Sequence, residues 1–280
     1  MSSENHYPRT SILSLKTEYR YDKSALTDCY FTPPFKITRP FYNEKGEMKI
    51  IAMSTSAGML AGDCQEVTLN IGENTNVYYT SQSYEKIHKM EEGMATRKVH
   101  MYIGKNACLK YVPLSTIPYA KSAFWNQVDV HLEDATSRLM LVDIISGGRI
   151  AHGECFDYRL YKSYTSVRQE EKLIYRDHTH YEPSVCEMKG FGMFEAYTHL
   201  VNILLVNMGD AKALLEGIRK IVNEKSNLSG GASLSEMGAI SIKAFGKTAQ
   251  QLEELVDAIE ALINRNNEQS ISGDAEKRLV

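Results

Sequence analysis

The chain has 280 residues, of which 43% are hydrophobic and 24% charged, with a formal net charge of −3 at pH 7. This composition predicts a soluble globular protein with a sizeable core, in one large domain or two smaller ones. It gives no basic footprint for nucleic acid, and no apolar run reaches the ~20 residues of a membrane helix. The five cysteines are scattered without a CxxC pair, which predicts free thiols and a cytoplasmic location.

The first two-thirds of the chain alternate apolar and polar residues at a period of two, which is typical of β-strands. Tyrosine is used heavily, with 17 residues, and favours pleated, half-buried surfaces. We therefore expect a mainly β body. The predicted strands are Met48–Met53, Val67–Ile71, Val77–Thr80, Val99–Ile103, Leu109–Val112, Val128–Leu132, Leu139–Ile145 and Phe156–Tyr161.

An internal repeat with a shift of 32 residues relates two pairs of these strands. Residues 67–80 (VTLNIGENTNVYYT) match residues 99–112 (VHMYIGKNACLKYV), and each copy is a strand, an Ile-Gly-x-Asn turn and a second strand. A looser third copy, residues 128–142, lacks the glycine. Units that cannot bury their own faces stack on one another. The repeat predicts a layered, β-helical or solenoid-like body of stacked strand–turn–strand units, and two similar hairpins are the alternative.

The pattern changes in the C-terminal part, residues 191–265, where helical spacing appears. Asp210 and Thr248 are placed to cap two helices. We expect this β-α-β-α part to pack on the β body within a single domain, residues 1–265, and the polar residues 266–280 to form a disordered tail. The expected elements are a strand over Tyr197–Met208, a helix over Ala211–Val222, a strand over Gly238–Phe245 and an amphipathic helix over Ala249–Arg265.

Residues 54–63, STSAGMLAGD, combine backbone freedom with one carboxylate. Gly58 and Gly62 permit a positive φ or a close approach by another backbone segment. The segment lies between two predicted strands, so Asp63 is presented where a strand begins. No nucleophile–base pair lies near it in the sequence. The segment is therefore suited to holding a polar group in a narrow place.

Five segments of the chain carry a recognisable pattern. They are PPFKITRPFY at Pro33–Tyr42, STSAGMLAGD at Ser54–Asp63, TSQSYEKIH at Thr80–His88, IPYAKSAF at Ile117–Phe124 and DIISGGRIAHGECF at Asp143–Phe156. In this order they resemble the UreD family of urease accessory proteins, called UreH in some bacteria. The C-terminal YTHLVNILLVN is similar to the epsilon-proteobacterial, UreH-like branch. The resemblance runs from about Tyr19 to Arg265.

The resemblance implies a largely β, helical-layered body with two helices near the C-terminus and a non-catalytic role. It implies a scaffold that binds UreF, recruits the GTPase UreG through UreF and docks on apo-urease. A heterocomplex with UreF is expected, with a dimer of such heterodimers as a further expectation, and neither nucleic acid nor a membrane as a partner. Nickel is expected to pass transiently through an internal polar passage, without a tightly bound cofactor.

A delivery protein needs ligands that hold Ni²⁺ weakly enough to release it, and oxygen donors fulfil this better than clustered imidazoles or thiolates. The alternative is that acids beside glycine turns only satisfy backbone N–H groups, and that Glu154 only pairs with Arg149. Gly58, Gly62 and Arg149 are expected to be structural, Arg149 as a clamp on a carboxylate. The candidate metal ligands are Asp63, Glu66, Asp143 and Glu154, and the candidate path-lining residues are Ser81 and Gln82.

Two other signals are weaker. His178 and His180 would share a face on a strand, but we interpret the surrounding RDHTHYEP as a loop that carries two surface histidines. Gly246-Lys247-Thr248 follows a predicted strand, yet it lacks the glycine-rich cradle of a phosphate-binding loop. Nucleotide hydrolysis is therefore expected in a partner.

Two alternatives to a nickel-delivery scaffold stay open at the level of sequence. A pure structural adaptor would use the acids only to satisfy backbone groups, and no metal would enter it. A carboxylate-dependent hydrolase would use Asp63, Asp143 and Glu154 for acid–base chemistry. The sequence offers such an enzyme neither a nucleophile elbow nor a cofactor fingerprint.

Overall fold

The computed structural model describes residues 9–277, and the side chains of residues 10–267. The helices are α1 (Ala211–Glu224) and α2 (Ala249–Lys277), and a short 3-10 helix covers Ile150–His152. The strands are β1 (Arg9–Arg20), β2 (Lys23–Phe31), β3 (Phe35–Ile37), β4 (Phe41–Tyr42), β5 (Met48–Ser54), β6 (Asp63–Ile71), β7 (Asn76–Ser81), β8 (Glu85–Ile87), β9 (Ala95–Ile103), β10 (Cys108–Tyr111), β11 (Thr116–Pro118), β12 (Ala123–Leu132), β13 (Arg138–Ser146), β14 (Leu160–Gln169), β15 (Lys172–Tyr181), β16 (His199–Val206), β17 (Ser229–Leu234) and β18 (Ile240–Gly246).

The described strands form two sheets that pack face to face. The first sheet has the order β15-β14-β12-β9-β6-β1-β2. The second has the path β17-β18-β16-β13-β10-β7-β5-β3, with β4, β8 and β11 at its margins. Apolar side chains from both sheets, such as Leu69 and Met101 of the first and Leu109 and Leu139 of the second, fill the space between them. The prediction of a mainly β body is confirmed.

The internal repeat corresponds to the stacking of successive coils. The strands β6, β9 and β12 lie parallel in the first sheet, with Val67 opposite Val99 and Val99 opposite Val128. The second strand of each copy lies in the other sheet, where the rings of Tyr79 and Tyr111 stack with centroids 5.0 Å apart. The stacked arrangement is therefore confirmed and the hairpin alternative is wrong, because the two strands of one copy do not pair with each other.

The Ile-Gly-x-Asn turns carry the chain from one sheet to the other. Asn74 and Asn106 have φ angles of 62° and 55°, in the left-handed region that asparagine tolerates. Gly72 is required by a close backbone approach, because a Cβ there would lie 2.3 Å from the carbonyl oxygen of Thr17. The recurring turn residues therefore follow from the geometry of the stacked coils.

The C-terminal part extends the second sheet and covers its outer face. The strand β16 pairs with β13 over eight residues, and β18 pairs with β16. Leu214 and Ile218 of α1 and Leu255 and Ile259 of α2 pack against the apolar side of these strands. Lys110 of β10 ties α2 to the sheet, because its buried ammonium group lies 2.8 Å from carboxylate oxygens of both Glu47 and Glu260.

Both predicted helix caps are present. The side chain of Asp210 accepts hydrogen bonds from the backbone N–H groups of Lys212 and Ala213. Thr248 Oγ1 accepts one from Gln251 N at 3.3 Å. The second helix continues past Arg265 to Lys277, and the residues after Arg265 include no proline that would stop it. It thus overlaps the predicted tail, residues 266–280, of which residues 278–280 lie outside the described residues.

Several sequence expectations about strands need correction. The strand predicted over Phe156–Tyr161 is wrong in its first part, because Phe156 has a φ of 62° and β14 begins only at Leu160. The segment RDHTHYEP, interpreted as a loop, mostly belongs to β15. The strands β1, β2, β15 and β17 and the short strands β3, β4, β8 and β11 were not predicted. Each of β2, β15 and β17 lies at or beside a sheet edge with many exposed residues, which weakens the apolar alternation.

All five cysteines lie in the described part of the chain and are free, as the sequence predicted. No helix within residues 9–277 is both long enough and apolar enough to span a membrane.

Candidate functional site

A row of polar side chains crosses the first sheet from strand to strand. Gln65, Arg97, Asn126 and Ser163 lie on β6, β9, β12 and β14, and each is opposite the next in register. They lie on the same face of their strands as the buried residues that face the second sheet. The row therefore lies between the two sheets. Towards the Ile-Gly-x-Asn turns, the inward residues of the same strands are apolar.

At the Gln65 end of the row, polar contacts join it to Glu85 of β8, at the margin of the second sheet. Gln65 Nε2 donates to Glu85 Oε2 at 3.3 Å. The Arg97 guanidinium approaches the same carboxylate oxygen at 3.8 Å, and Arg97 Nε donates to Asn126 Oδ1 at 3.0 Å. Arg97 is thus placed between a carboxylate and an amide, both inside the protein.

The same chain of contacts reaches Asp143 at its other end. Asn126 Nδ2 donates to Ser163 Oγ, and Ser163 Oγ donates to Asp143 Oδ2, each at 3.3 Å. Asp143 lies on β13 with the parity of the inward-facing Leu141, and it is opposite Asn202 of β16. We call the following residues the interior polar layer: Gln65, Glu85, Arg97, Asn126, Ser163, Asp143 and Asn202.

The edge of the sandwich next to this layer is closed by an ion pair. Lys243 of β18 is opposite Asn202, and its Nζ lies 2.8 Å from Asp177 Oδ1 of β15. This pair joins the second sheet to the last strand of the first. Both side chains are partly exposed, so the ion pair lies between the polar layer and solvent at this edge.

Burial and mutual interaction shape the charges of the layer. Burial raises the pKa of the Asp143 carboxyl above its ordinary value, and the Arg97 guanidinium partly offsets this. Burial by itself would lower the pKa of the Arg97 guanidinium. The neighbouring Tyr111, Glu85 and Asp143 outweigh this effect, so the pKa lies above its ordinary value. Arg97 therefore keeps its positive charge at neutral pH.

One buried polar atom on the residue opposite Asp143, Asn202 Oδ1, has no hydrogen-bond partner within the described residues. The buried hydroxyl of Tyr161, a residue that is 1% exposed, approaches Asp143 and Ser163. Burial and the neighbouring Asp143 raise the pKa of Tyr161 well above its ordinary value. Native proteins leave few buried polar atoms unpaired, and such atoms often bind water or an ion.

Asp63 lies at the outside of the layer, in an open cavity of about 410 Å³. Its Oδ2 accepts a hydrogen bond from Leu60 N at 2.7 Å, which is the backbone role that the alternative interpretation assigns to it. Ser54 and Gln65 line both this cavity and a smaller one of about 50 Å³, which Glu85 and Arg97 also line. Ser54 and Gln65 thus stand between the cavity at Asp63 and the cavity beside the interior polar layer.

The glycines of the same segment have positive φ angles, 145° at Gly58 and 81° at Gly62. A Cβ at Gly58 would lie 2.3 Å from the carbonyl oxygen of Lys86 and would also meet the ring of His88. His88 Nε2 lies 3.0 Å from the carbonyl oxygen of Ala57. Gly58 therefore lets the segment pack closely on β8.

The structure separates two candidate residues from the layer. Glu66 is adjacent to Gln65 on β6 and faces the opposite side of the sheet, where it is opposite Lys98. Gln82 is exposed at the end of β7. Ser81, by contrast, lines the smaller cavity, and its Oγ accepts a hydrogen bond from Leu114 N at 2.9 Å.

Glu154 pairs with Arg149, as the alternative interpretation describes. Arg149 Nε donates to Glu154 Oε2 at 2.8 Å, and Arg149 Nη2 contacts Glu154 Oε1. The guanidinium also stacks on the ring of Tyr119. Ala120 N also donates to Glu154 Oε2, at 3.1 Å. Hydrogen bonding to Arg149 lowers the pKa of Glu154 below its ordinary value. Arg149 is thus clamped on a carboxylate.

Within the described residues, no three His, Cys, Asp or Glu side chains are grouped closely enough to hold a metal ion. His178 and His180 lie on β15 opposite Tyr164 and Lys162 of β14, on the outer face of the first sheet. The layer is therefore an extended series of oxygen and nitrogen groups and not a compact metal centre.

The sequence analysis missed most of the interior polar layer, although a signal was present. Gln65, Arg97 and Asn126 each stand two residues before the first buried valine of their strand, so they occupy equivalent positions of the repeat. A polar residue recurring at one inward position of successive coils predicts a polar row. Glu85, Ser163 and Asn202 come from strands outside the repeat.

These features define a class of protein: a two-sheet scaffold of stacked coils with a buried polar layer and a helical cover. The family model described as UreD urease accessory protein matches residues 9–273. The chain belongs to this family, and its role is in urease maturation.

Individual relatives agree over nearly their whole lengths. The urease accessory protein UreH of Helicobacter pylori strain J99 is 35% identical over 268 residues, which cover 95% of this chain and 100% of that protein. UreH of Helicobacter hepaticus is 33% identical, covering 88% and 95%. The urease accessory protein UreD of Acetivibrio thermocellus is 28% identical, covering 93% and 99%.

Proposed function

We propose that this chain is a non-catalytic urease maturation factor of the cytoplasm whose interior polar layer lets nickel, its cargo, pass between the two sheets. In this proposal the chain binds UreF, recruits UreG through UreF and docks on apo-urease as a heterocomplex. The observation that carries the proposal is the series of polar contacts from Gln65 to Asp143. Gln65, at its first end, also lines the open cavity at Asp63.

The energetics of burial support a functional reason for this layer. Polar and charged groups cost free energy when they leave water, even when they are paired. The same strands place apolar residues such as Leu69 and Met101 at their other inward positions. A purely structural sandwich could use apolar residues throughout, so the polar layer fits a path for a hydrated or partly hydrated ion.

The donor atoms suit a cargo that must be released. Asp143 offers a carboxylate, Ser163 a hydroxyl and Asn202 an amide oxygen that has no partner within the described residues. Such oxygen ligands hold Ni²⁺ less tightly than imidazole or thiolate groups do. The proposed path therefore runs past Asp63, Ser81, Glu85 and Asp143, and Glu66, Gln82 and Glu154 lie outside it.

The scaffold role is supported by family membership and by exposed aromatic side chains. Tyr19 and Tyr30 of the β1–β2 pair are 48% and 55% exposed, and Tyr21 between the two strands is 93% exposed. Aromatic residues are enriched where proteins bind one another. We propose that this surface contributes to the contact with a maturation partner.

The structural adaptor stays a second candidate because two observations favour it. Asp63 satisfies the N–H group of Leu60, and Glu154 is held by Arg149 and Ala120 N. The adaptor account predicts that these acids act only as local clamps. It gives no role to Asn202 Oδ1, which has no hydrogen-bond partner within the described residues.

The two candidates are separated by Asp143→Asn in a defined maturation reaction with UreF, UreG, apo-urease and nickel. The matched control is Asp129→Asn, because Asp129 lies on the outer face of β12. We expect Asp143→Asn to lower the nickel content of urease several-fold while complex formation with UreF is retained, and Asp129→Asn to have no effect. Full nickel loading with Asp143→Asn would support the adaptor instead.

A further inference from the structure

The interior polar layer places a positive charge where a cation would have to pass. Arg97 lies between the two interior acids along the chain of contacts, with Glu85 on one side and Asn126, Ser163 and Asp143 on the other. We propose that Arg97 is a counter-charge that prevents Glu85 and Asp143 from retaining a divalent cation. This inference rests on the proposed passage of nickel through the same layer.

The guanidinium is held in place without being locked to either acid. Its Nε is fixed by Asn126 Oδ1 at 3.0 Å, and its centre lies 5.3 Å from the centroid of the Phe124 ring. Its separation from Glu85 Oε2, 3.8 Å, is longer than a hydrogen bond. The Arg149–Glu154 pair shows the closer, two-contact arrangement that Arg97 does not adopt.

A loosely held charge leaves both carboxylates accessible to a competing cation. The cavity of about 50 Å³ beside Arg97 and Glu85 has room for a water molecule or an ion at this point. A cation that binds Glu85 would compete with Arg97 for the carboxylate, and the guanidinium would repel it in return. The same repulsion acts at Asp143, whose pKa already responds to the charge of Arg97.

Without this charge, the inner end of the layer would be a better cation site. The Asp143 carboxylate, the Ser163 hydroxyl and the Asn202 amide oxygen would present oxygen ligands without the guanidinium charge that now acts on Asp143. Lys243, opposite Asn202, is paired with Asp177. Like charges a few ångströms apart in a partly desolvated site change ion affinity by about tenfold or more. Arg97 would thus convert a site that retains a metal into a passage that releases it.

The test is nickel retention by the full-length chain, purified alone or with UreF, after incubation with Ni²⁺ and removal of free metal by gel filtration. We expect Arg97→Gln to bind Ni²⁺ at least about tenfold more tightly than the unchanged chain. Arg97→Lys, which keeps the charge, and Arg176→Gln, which removes an exposed arginine on β15, should both behave like the unchanged chain. Adding Asp143→Asn to Arg97→Gln should abolish the gain.

Wild-type affinity in a folded Arg97→Gln variant would overturn the proposal. If that variant does not fold, Arg97→Met removes the same charge and keeps an apolar chain next to Phe124. Tighter Ni²⁺ binding by Arg97→Met would then support the proposal, and wild-type affinity would overturn it. Retention is measured without urease, so it is independent of delivery. Loss of delivery in Asp143→Asn with normal retention in Arg97→Gln would leave the passage standing and reject the counter-charge, whereas normal delivery in Asp143→Asn would reject the passage itself.

Discussion

The two halves of the space between the sheets use the same strands and different side chains. Near the Ile-Gly-x-Asn turns, the inward residues are apolar, as at Leu69 and Met101. Further along the same strands, the inward residues are Gln65, Arg97 and Asn126, and a separate apolar cluster lies beyond them. The comparison teaches that the apolar half stabilises the stack of coils, which leaves the polar half free to serve another purpose.

The largest expected effect lies in the apolar half. Leu69→Ala removes a side chain that is 1% exposed, and it should lower the free energy of unfolding by about 2–5 kcal/mol because it leaves a cavity. Gln65→Ala, on the same face of the same strand, should cost about 1 kcal/mol, since it removes one long hydrogen bond. Urea unfolding of both variants measures the difference. Equal losses would contradict the division into two halves.

On the second sheet, the buried His199 makes the stability of the fold depend on pH. His199 lies on β16, three residues before Asn202, and burial lowers its pKa from 6.5 to about 4. The folded state therefore favours the neutral imidazole, while the unfolded chain takes up a proton as the pH falls below 6.5. The stability should be highest above pH 6.5 and should fall between pH 6.5 and about 4, by roughly 3 kcal/mol in total.

The measurement is urea unfolding from pH 7.5 down to the acid range, for the unchanged chain and for His199→Gln. The difference between the two removes the contribution of the other titrating groups. We expect the unchanged chain to lose stability relative to the variant as the pH falls. A difference that is independent of pH would show that His199 is not held neutral by the fold.

A smaller effect is expected at the outer end of the polar half. Gly58→Ala would place a Cβ 2.3 Å from the Lys86 carbonyl oxygen at a φ of 145°, so it should destabilise the segment by roughly 1–3 kcal/mol. Gly62→Ala is the control, because its φ is also positive but no atom lies within 4 Å of the added Cβ. Thermal unfolding compares them. A larger loss at Gly62 would contradict the close packing of the segment on β8.

The sequence predicted those features that depend on local pattern and repetition. The register of Val67, Val99 and Val128 follows from the repeat. The caps at Asp210 and Thr248 follow from the residue types that satisfy free N–H groups at a helix start. In these cases one short segment contains all of the information.

The candidate site was less predictable because its contacts join distant parts of the chain. Asp143 meets Ser163 from another sheet, and Arg97 meets Glu85 from a separate short strand. No local pattern specifies which residues of two sheets face each other. The position of Glu66 is different, since its place next to the buried Val67 already indicates an outward side chain.

The most direct test of a polar passage compares separate substitutions of two adjacent residues of β12 that face opposite sides of the first sheet. Asn126→Leu interrupts the interior polar layer between Arg97 and Ser163, whereas Gln127→Leu changes the outer face. Nickel delivered to apo-urease is measured for both variants, after gel filtration shows that each still binds UreF. We expect delivery to fall several-fold with Asn126→Leu and to be unchanged with Gln127→Leu. Unchanged delivery with Asn126→Leu would contradict the passage of nickel through this layer.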